Sequence, residues 1–441
     1  MRAIDGRASQ QWLRRGTQMA DGPLHGVRVL EFSLIVSGPF LGMNLADMGA
    51  DVIKVEPPEG EVRRHVGVVP NTSKIFQWVN RGKRTIQMDL KTPEALAFIH
   101  RIITDIDVVV INYRPGAPKR LGIDYETLSK INPRLIYANI TGFGSEGPMS
   151  EDGGADMTAI AYSGAMAANG KIDENGAPEG IGGIVLGDTA SGLGGAMGVC
   201  AALFNREKTG MGQYLETSLV GSAMALEGLT LMHEATTDKV GRAKIIKKYA
   251  EVRAAGGTYA DLINARKEGV PTARRGANYW SGYNAKDGAL VFSANTQAGR
   301  VQVRRVLGFE GLGDDDPNVD VNAPDFPEMV KRERAEIERI IRQRTVREWM
   351  RDFRAAGAPV APVLLPEEVA DDEQGTHYFQ DLVHPVTGPE RHVKPIVSFS
   401  RTPSFIRAPA DMPGDHVDEI LRQFGLTDAE MAALREAHAI V

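Results

Sequence analysis

What this sequence has little of narrows its function before any motif is read. Its 441 residues include one cysteine, Cys200. No internal disulfide can form, which fits a reducing compartment, and a cytoplasmic protein is expected. In "AMGVCAALF" the thiol reads as a buried structural one. No apolar run approaches the roughly 20 residues needed to span a bilayer, so no membrane partner is expected. The first 23 residues are polar and lack the apolar middle of a signal peptide; they read as a loose tail with one short helix near residues 10–15. Positive charge is not in surplus: 51 Lys and Arg stand against 57 Asp and Glu, a net charge of −6. That balance points away from nucleic acid. The nine histidines show neither H-x-x-x-H nor H-x-x-E-H spacing, so no metal site is expected. The phosphate loop G-x-x-x-x-G-K-[ST] and the serine-hydrolase elbow G-x-S-x-G are missing as well.

What is present is alternation. "GVRVLEF" reads as a strand, "SGPFLGMNLADMG" as a helix with Pro39 in its first turn, and "ADVIKVE" as the next strand. "RTIQMDL", "IDVVVIN" and "LIYANITGF" continue the strands. Between them lie the helices "TPEALAFIHRIITD", capped by Thr92, and "YETLSKINP". Strand–helix–strand repetition requires a parallel sheet, so an open, Rossmann-like α/β domain is predicted. Its first unit offers only Gly38 and Gly42, not G-x-G-x-x-G, and a tightly bound dinucleotide is not expected. Residues 142–187 are glycine-rich and irregular, with one helix in "MTAIAYSGAMAA"; long loops of this kind are usually functional. Residues 237–280 turn basic, which suits either a solvated linker with helical pieces or cations facing an anionic ligand. A smaller α/β domain follows, with a strand in "ALVFSANT" and charged amphipathic helices in "FPEMVKRERAEIERIIRQRTVREWMRDFRAAG". A helix capped by Thr427 closes the chain.

Residues 184–198, "IVLGDTASGLGGAMG", carry a single charge, Asp188, ahead of four glycines. A strand ending at Leu186 and a helix starting near Thr189 would make Asp188 an N-cap, worth about 1 kcal/mol, with the glycines allowing close helix packing. Alternatively, Asp188 is a carboxylate nucleophile, and the glycines let a substrate lie against the backbone. The stretch alone leaves both open.

Longer segments carry a resemblance. "GVRVLEFSLIVSGPFLGMNLADMGADVIKVEPPEG", "NRGKRTIQMDLKTPEA" and "INYRPGAPKRLGIDYETLSKINPRLIYANITGFGSEGP" follow one another in the order seen in the family III CoA-transferases, the formyl-CoA and carnitine CoA-transferase type. "LGDTASGLGGAMGVCAALFNREKTGMGQYLETSL", "AAGAPVAPVLLPEEVADD" and "PIVSFSRTPSFIRAPADMPGDH" extend the similarity over nearly all of residues 24–430. The resemblance implies a large Rossmann-like domain built from both chain ends, a small α/β domain between, and an interlocked homodimer. The division expected is 24–225 for the large domain, 226–345 for linker and small domain, and 346–441 for the return. It also implies a mechanism in which Asp188 attacks an acyl-CoA thioester, giving a mixed anhydride and bound CoA thiolate. An acceptor carboxylate displaces the donor acid, and the thiolate reclaims the new acyl group. Coenzyme A is then substrate and product rather than a tightly bound cofactor, and the partners are acyl-CoA and carboxylic acids. A helix N-terminus beside Asp188 and nearby glycine amides would stabilise the charges involved. Positions matching CoA contacts are Ile35, Val36, Met88, Lys91, Asn112, Tyr113, Arg120 and Leu121; Asp156 is a candidate second catalytic residue.

Two departures qualify the resemblance. Val36 stands where formyl-CoA transferases carry glutamine, and their small-domain glycine run is missing, which points away from formate and oxalate and toward a larger or more apolar acyl group. The related methylacyl-CoA racemases carry a His-Asp pair where this chain reads "GGADMT", with Ala155 before Asp156. Racemisation needs a base on each face of the α-carbon. The alternatives to transfer are such a racemase or epimerase, and a CoA-binding protein without catalysis.

Overall fold

A computed structural model describes residues 22–269, 274–308 and 313–441. The short helix expected near residues 10–15 lies outside them. The chain divides into two units, one of residues up to Met232 with Tyr378–Val441, the other His233–His377.

The first unit is built on a six-stranded parallel sheet in the order β3-β2-β1-β4-β5-β6. The strands are β1 (Arg28–Phe32), β2 (Asp51–Glu56), β3 (Arg84–Gln87), β4 (Val108–Ile111), β5 (Ile136–Thr141) and β6 (Tyr214–Ser218). β4 is buried along its whole length and β1 from Val29 onward, as a parallel sheet covered on two sides demands. Along β1, Val29 packs with α1 (Ser37–Asp47), whereas Leu30 and Phe32 join the opposite core. That opposite core is closed by α2 (Pro93–Ile102), α3 (Tyr125–Ile131) and the C-terminal helices Val417–Gln423 and Asp428–Glu436. Helix starts follow their caps: Thr92 accepts from Ala95 N–H, and Thr427 and Glu430 form a reciprocal capping box. Two further helices border the site described below, α4 (Asp156–Ser163) and α5 (Leu186–Thr209). The strand order reverses between β1 and β4, so the loops leaving those two strands meet at the sheet's C-terminal edge.

Glu31, Lys54, Glu56, Glu61, Arg64 and Lys83 are all buried near that edge. Three cations balance three carboxylates. Lys54 pairs with Glu31 (3.2 Å) and Glu61 (3.5 Å), Lys83 with Glu31 (2.8 Å), and Arg64 clasps Glu56 with two bonds of 2.7 Å. Burial opposes ionisation of Glu31, but Lys83 and Lys54 more than offset it and hold its carboxyl below the usual range. Burial lowers Lys83 to about 8 despite Glu31.

The second unit holds the antiparallel sheet β7 (Gly282–Asn284), β8 (Ala289–Phe292) and β9 (Val360–Pro362), over a core of Tyr283, Phe292, Ile337, Trp349 and Phe353. The expected return to the large domain at residue 346 therefore moves to 378. The amphipathic helix Val346–Ala355 buries Trp349 and Phe353 in this core, and β9 pairs with β8. The basic stretch forms helices Arg242–Ala254 and Tyr259–Gly269, which pack on each other and leave their cations mostly exposed. A buried acidic trio, Asp314, Asp315 and Glu333, also lies here, with Glu333 accepting from Tyr279 (2.9 Å) and Asp315 pairing with Arg304.

Candidate active site

The loop after β1 is held in an uncommon backbone shape. Ile35 has φ of 73°, in the left-handed region that a β-branched residue rarely enters. It persists because both sides of the loop are pinned. Ile35 N–H donates to Glu61 (2.9 Å), and Leu34 N–H to Asn112 Oδ1 (2.9 Å). Asn112 Nδ2 donates back to Leu34 O (2.8 Å) and to Ser37 Oγ (3.1 Å). With that oxygen accepting from Asn112, the Ser37 hydroxyl hydrogen is left for Asp188.

Asp188 is not the N-cap, and no strand precedes it. α5 begins at Leu186, so Asp188 is its third residue, with Val185 at the cap position. The cap comes from elsewhere. Asp156, first residue of α4, accepts from Gly187 N–H (2.7 Å) and Asp188 N–H (3.2 Å). A carboxylate from a neighbouring helix thus satisfies two first-turn donors, and the Asp188 side chain is released from capping. Those two amides are consequently not open to an oxyanion.

Asp188 is only 8% exposed. Burial pushes its carboxyl up, the Asp156 carboxylate pushes further, and Ser37 and Arg63 pull back, leaving it at about 6. The helix end does not hold it at an ordinary acid strength. At pH 7 roughly ten ionised copies remain for each protonated one.

The glycines of α5 serve packing. A Cβ on Gly192 would stand 2.8 Å from Ser37 O, and one on Gly195 2.4 Å from Leu41 Cδ1. α5 therefore lies tightly on α1, which sets Asp188 against Ser37. Cys200, farther along α5, is half-buried, and burial pushes its thiol up, which suits a structural role.

A cavity of about 760 Å³ opens over these residues. It brings together Ile35, Val36, Asn112, Tyr113, Arg120, Asp156 and Asp188 of the sequence-predicted set. Met88, Lys91 and Leu121 are not among its lining residues. Met88 is 1% exposed in the core, Leu121 packs against the same core, and Lys91 lies exposed at the start of α2. Asn112 lines the cavity, and its amide holds Leu34 and Ser37 in place. Sequence reasoning missed Ser37, Glu61, Arg63 and Arg114. Arg63 and Arg114 carry no motif; Ser37 could have been found as the polar residue opening α1.

A family model described as CoA-transferase family III matches residues 24–417. The succinyl-CoA:glutarate CoA-transferase of Homo sapiens is 29% identical over 433 residues, 95% of this chain and 91% of that protein. The formyl-CoA:oxalate CoA-transferase of Escherichia coli O6:H1 is 29% identical over 429 residues, 95% of this chain and 99% of that one. Among solved structures, a CaiB/BaiF family protein from Brucella suis aligns with a TM-score of 0.70 at 25% identity, covering 92% of this chain and all of its own.

Proposed function

The chain belongs to CoA-transferase family III, an enzyme class, and from that premise we propose that it moves CoA from an acyl-CoA to a carboxylic acid through an anhydride on Asp188. The observation that carries this reading is a buried carboxylate at about 6, facing a 760 Å³ cavity at the sheet's switch point. A carboxylate needs no base to become a nucleophile, and raising its pKa strengthens the attacking oxygen.

The steps balance without another reagent. Asp188 attacks the thioester carbon and expels CoA thiolate, giving a mixed anhydride with the donor acyl group. The acceptor carboxylate attacks the Asp188 carbonyl carbon and expels the donor acid. CoA thiolate attacks the new acyl carbon, forming the product thioester and restoring the carboxylate. In this reading Ser37 steadies Asp188, Asp156 is a positioning residue that fixes the first turn of α5, and exposed Arg114 and Arg120 face the CoA phosphates. The racemase reading loses support on two counts: Ala155 offers no base, and Asp156 Oδ1 is engaged by two amides.

The reading carries a cytoplasmic homodimer with it. Leu193, Met197 and Phe204 stand 40%, 73% and 64% exposed on α5, an apolar face suited to a second copy. No helix among the described residues is long and apolar enough to cross a membrane. Incubating the enzyme with acyl-CoAs and isotopically labelled acids, with detection of new labelled acyl-CoA by mass spectrometry, tests the transfer. Labelled thioester is expected with wild type and none with Asp188→Asn; equal yields from both would remove Asp188 from the mechanism.

A further inference from the structure

We propose that Arg63 reads the second, non-reacting carboxylate of a dicarboxylic acid, which makes it the specificity-determining residue of this site. The inference rests on the Asp188 mechanism above.

Arg63 and Arg64 are adjacent in the turn Val62–Val66, yet their bonding is opposite. Every nitrogen of the Arg64 guanidinium is bonded, to Glu56, Asn71 O and Asp411 O. The Arg63 guanidinium makes no ion pair among the described residues, and its Nε is buried without a hydrogen-bond partner. Its carbonyl accepts from Ser73 Oγ at 2.5 Å. The nearest acid in sequence, Glu61, is committed to Lys54 and Ile35 N–H. A buried donor left unsatisfied is costly, and a ligand that bonds it recovers that cost.

Arg63 also lines the cavity that holds Asp188, and its charge acts on that carboxylate. A dicarboxylic acid brings a second, non-reacting anion into this cavity, and a fixed cation there offsets the cost of burying it. A guanidinium presents a planar fork that matches a carboxylate with two parallel bonds. Engaging the reacting carboxylate that way would blunt its attack. Engaging a second carboxylate at the far end of the acid leaves the first unhindered and holds it in line. The exposed Arg114 and Arg120 give the CoA phosphates their own cations, so Arg63 is not needed for them.

Isotope exchange between an acyl-CoA and its own ¹³C-labelled acid tests this without knowledge of the natural pair. The probes are butyryl-CoA with butyrate, succinyl-CoA with succinate, pentanoyl-CoA with pentanoate and glutaryl-CoA with glutarate. Wild type is expected to favour the dicarboxylates. Arg63→Met should lose on the order of 100-fold in kcat/KM for dicarboxylates, mostly in KM, and stay within about threefold for monocarboxylates, the size of one charge-assisted bidentate contact. Unchanged monocarboxylate exchange shows that the variant is folded, and Arg63→Lys should recover part of the loss. Equal losses for both acid classes, or no loss for either, would overturn the assignment while leaving transfer through Asp188 intact. No exchange by wild type with any probe would instead remove the transfer reading, and this inference with it.

Discussion

Replacing Asp188 by asparagine should abolish transfer and at the same time stabilise the protein. The carboxyl ionises near 3.8 in an unfolded chain and at about 6 in the fold, because burial and then Asp156 disfavour its charge. Folding therefore opposes the charged form. Below about pH 3.8 the group is protonated in both states and nothing is lost; the penalty grows as pH rises and is complete above about 6. A difference of about two pKa units corresponds to about 3 kcal/mol at pH 7.5. Asparagine keeps the shape and an oxygen for Ser37, so it removes the penalty with little else. For a chain of this length the thermal midpoint should rise on the order of 3 °C at pH 7.5, with only about a third of the gain at pH 4.5. Differential scanning calorimetry of wild type and Asp188→Asn at the two pH values measures both. A variant less stable than wild type at pH 7.5, or a shift of equal size at both pH values, would refute the reasoning.

Other outcomes follow from the same geometry. The acid limb of kcat/KM should fall tenfold per pH unit below about 6, where Asp188 protonates. Asp156→Asn removes a like charge and should move that limb to lower pH, whereas Ser37→Ala removes a stabilising bond and should move it higher; pH–rate profiles distinguish the two. Gly192→Ala forces a methyl against Ser37 O and should cost about 1–3 kcal/mol in denaturant unfolding, with a loss of kcat. Glu61→Ala leaves Lys54 with less compensation and Ile35 N–H without a partner, and should cost about 3–5 kcal/mol by the same unfolding measurement.

The sheet was legible because β1, β2, β4 and β5 carry clusters of branched apolar residues bounded by turn residues, and Thr92, Asp124 and Thr427 announce their helices locally. Asp188 was legible as a lone charge among glycines. The N-cap alternative falls because the first-turn amides are capped by Asp156, 32 residues before Asp188, a partner no local pattern reveals. Met88 lies outside the cavity lining because its side chain is buried in the core, a placement that a match in sequence does not reveal. The charge cluster beneath Ile35 was invisible because Glu31, Lys54, Glu61 and Lys83 meet only once the sheet forms. The domain boundary shifted because Trp349 and Phe353 commit the helix Val346–Ala355 to the second unit's core.

The most direct test of the central claim is intact-protein and peptide mass spectrometry after incubation with a panel of acyl-CoAs and quenching with hydroxylamine, which converts an activated aspartate to a hydroxamate. The expected result is a single label on the peptide holding Asp188, formed only with acyl-CoAs that support transfer. An unlabelled Asp188 in an enzyme that still transfers CoA would contradict the anhydride mechanism.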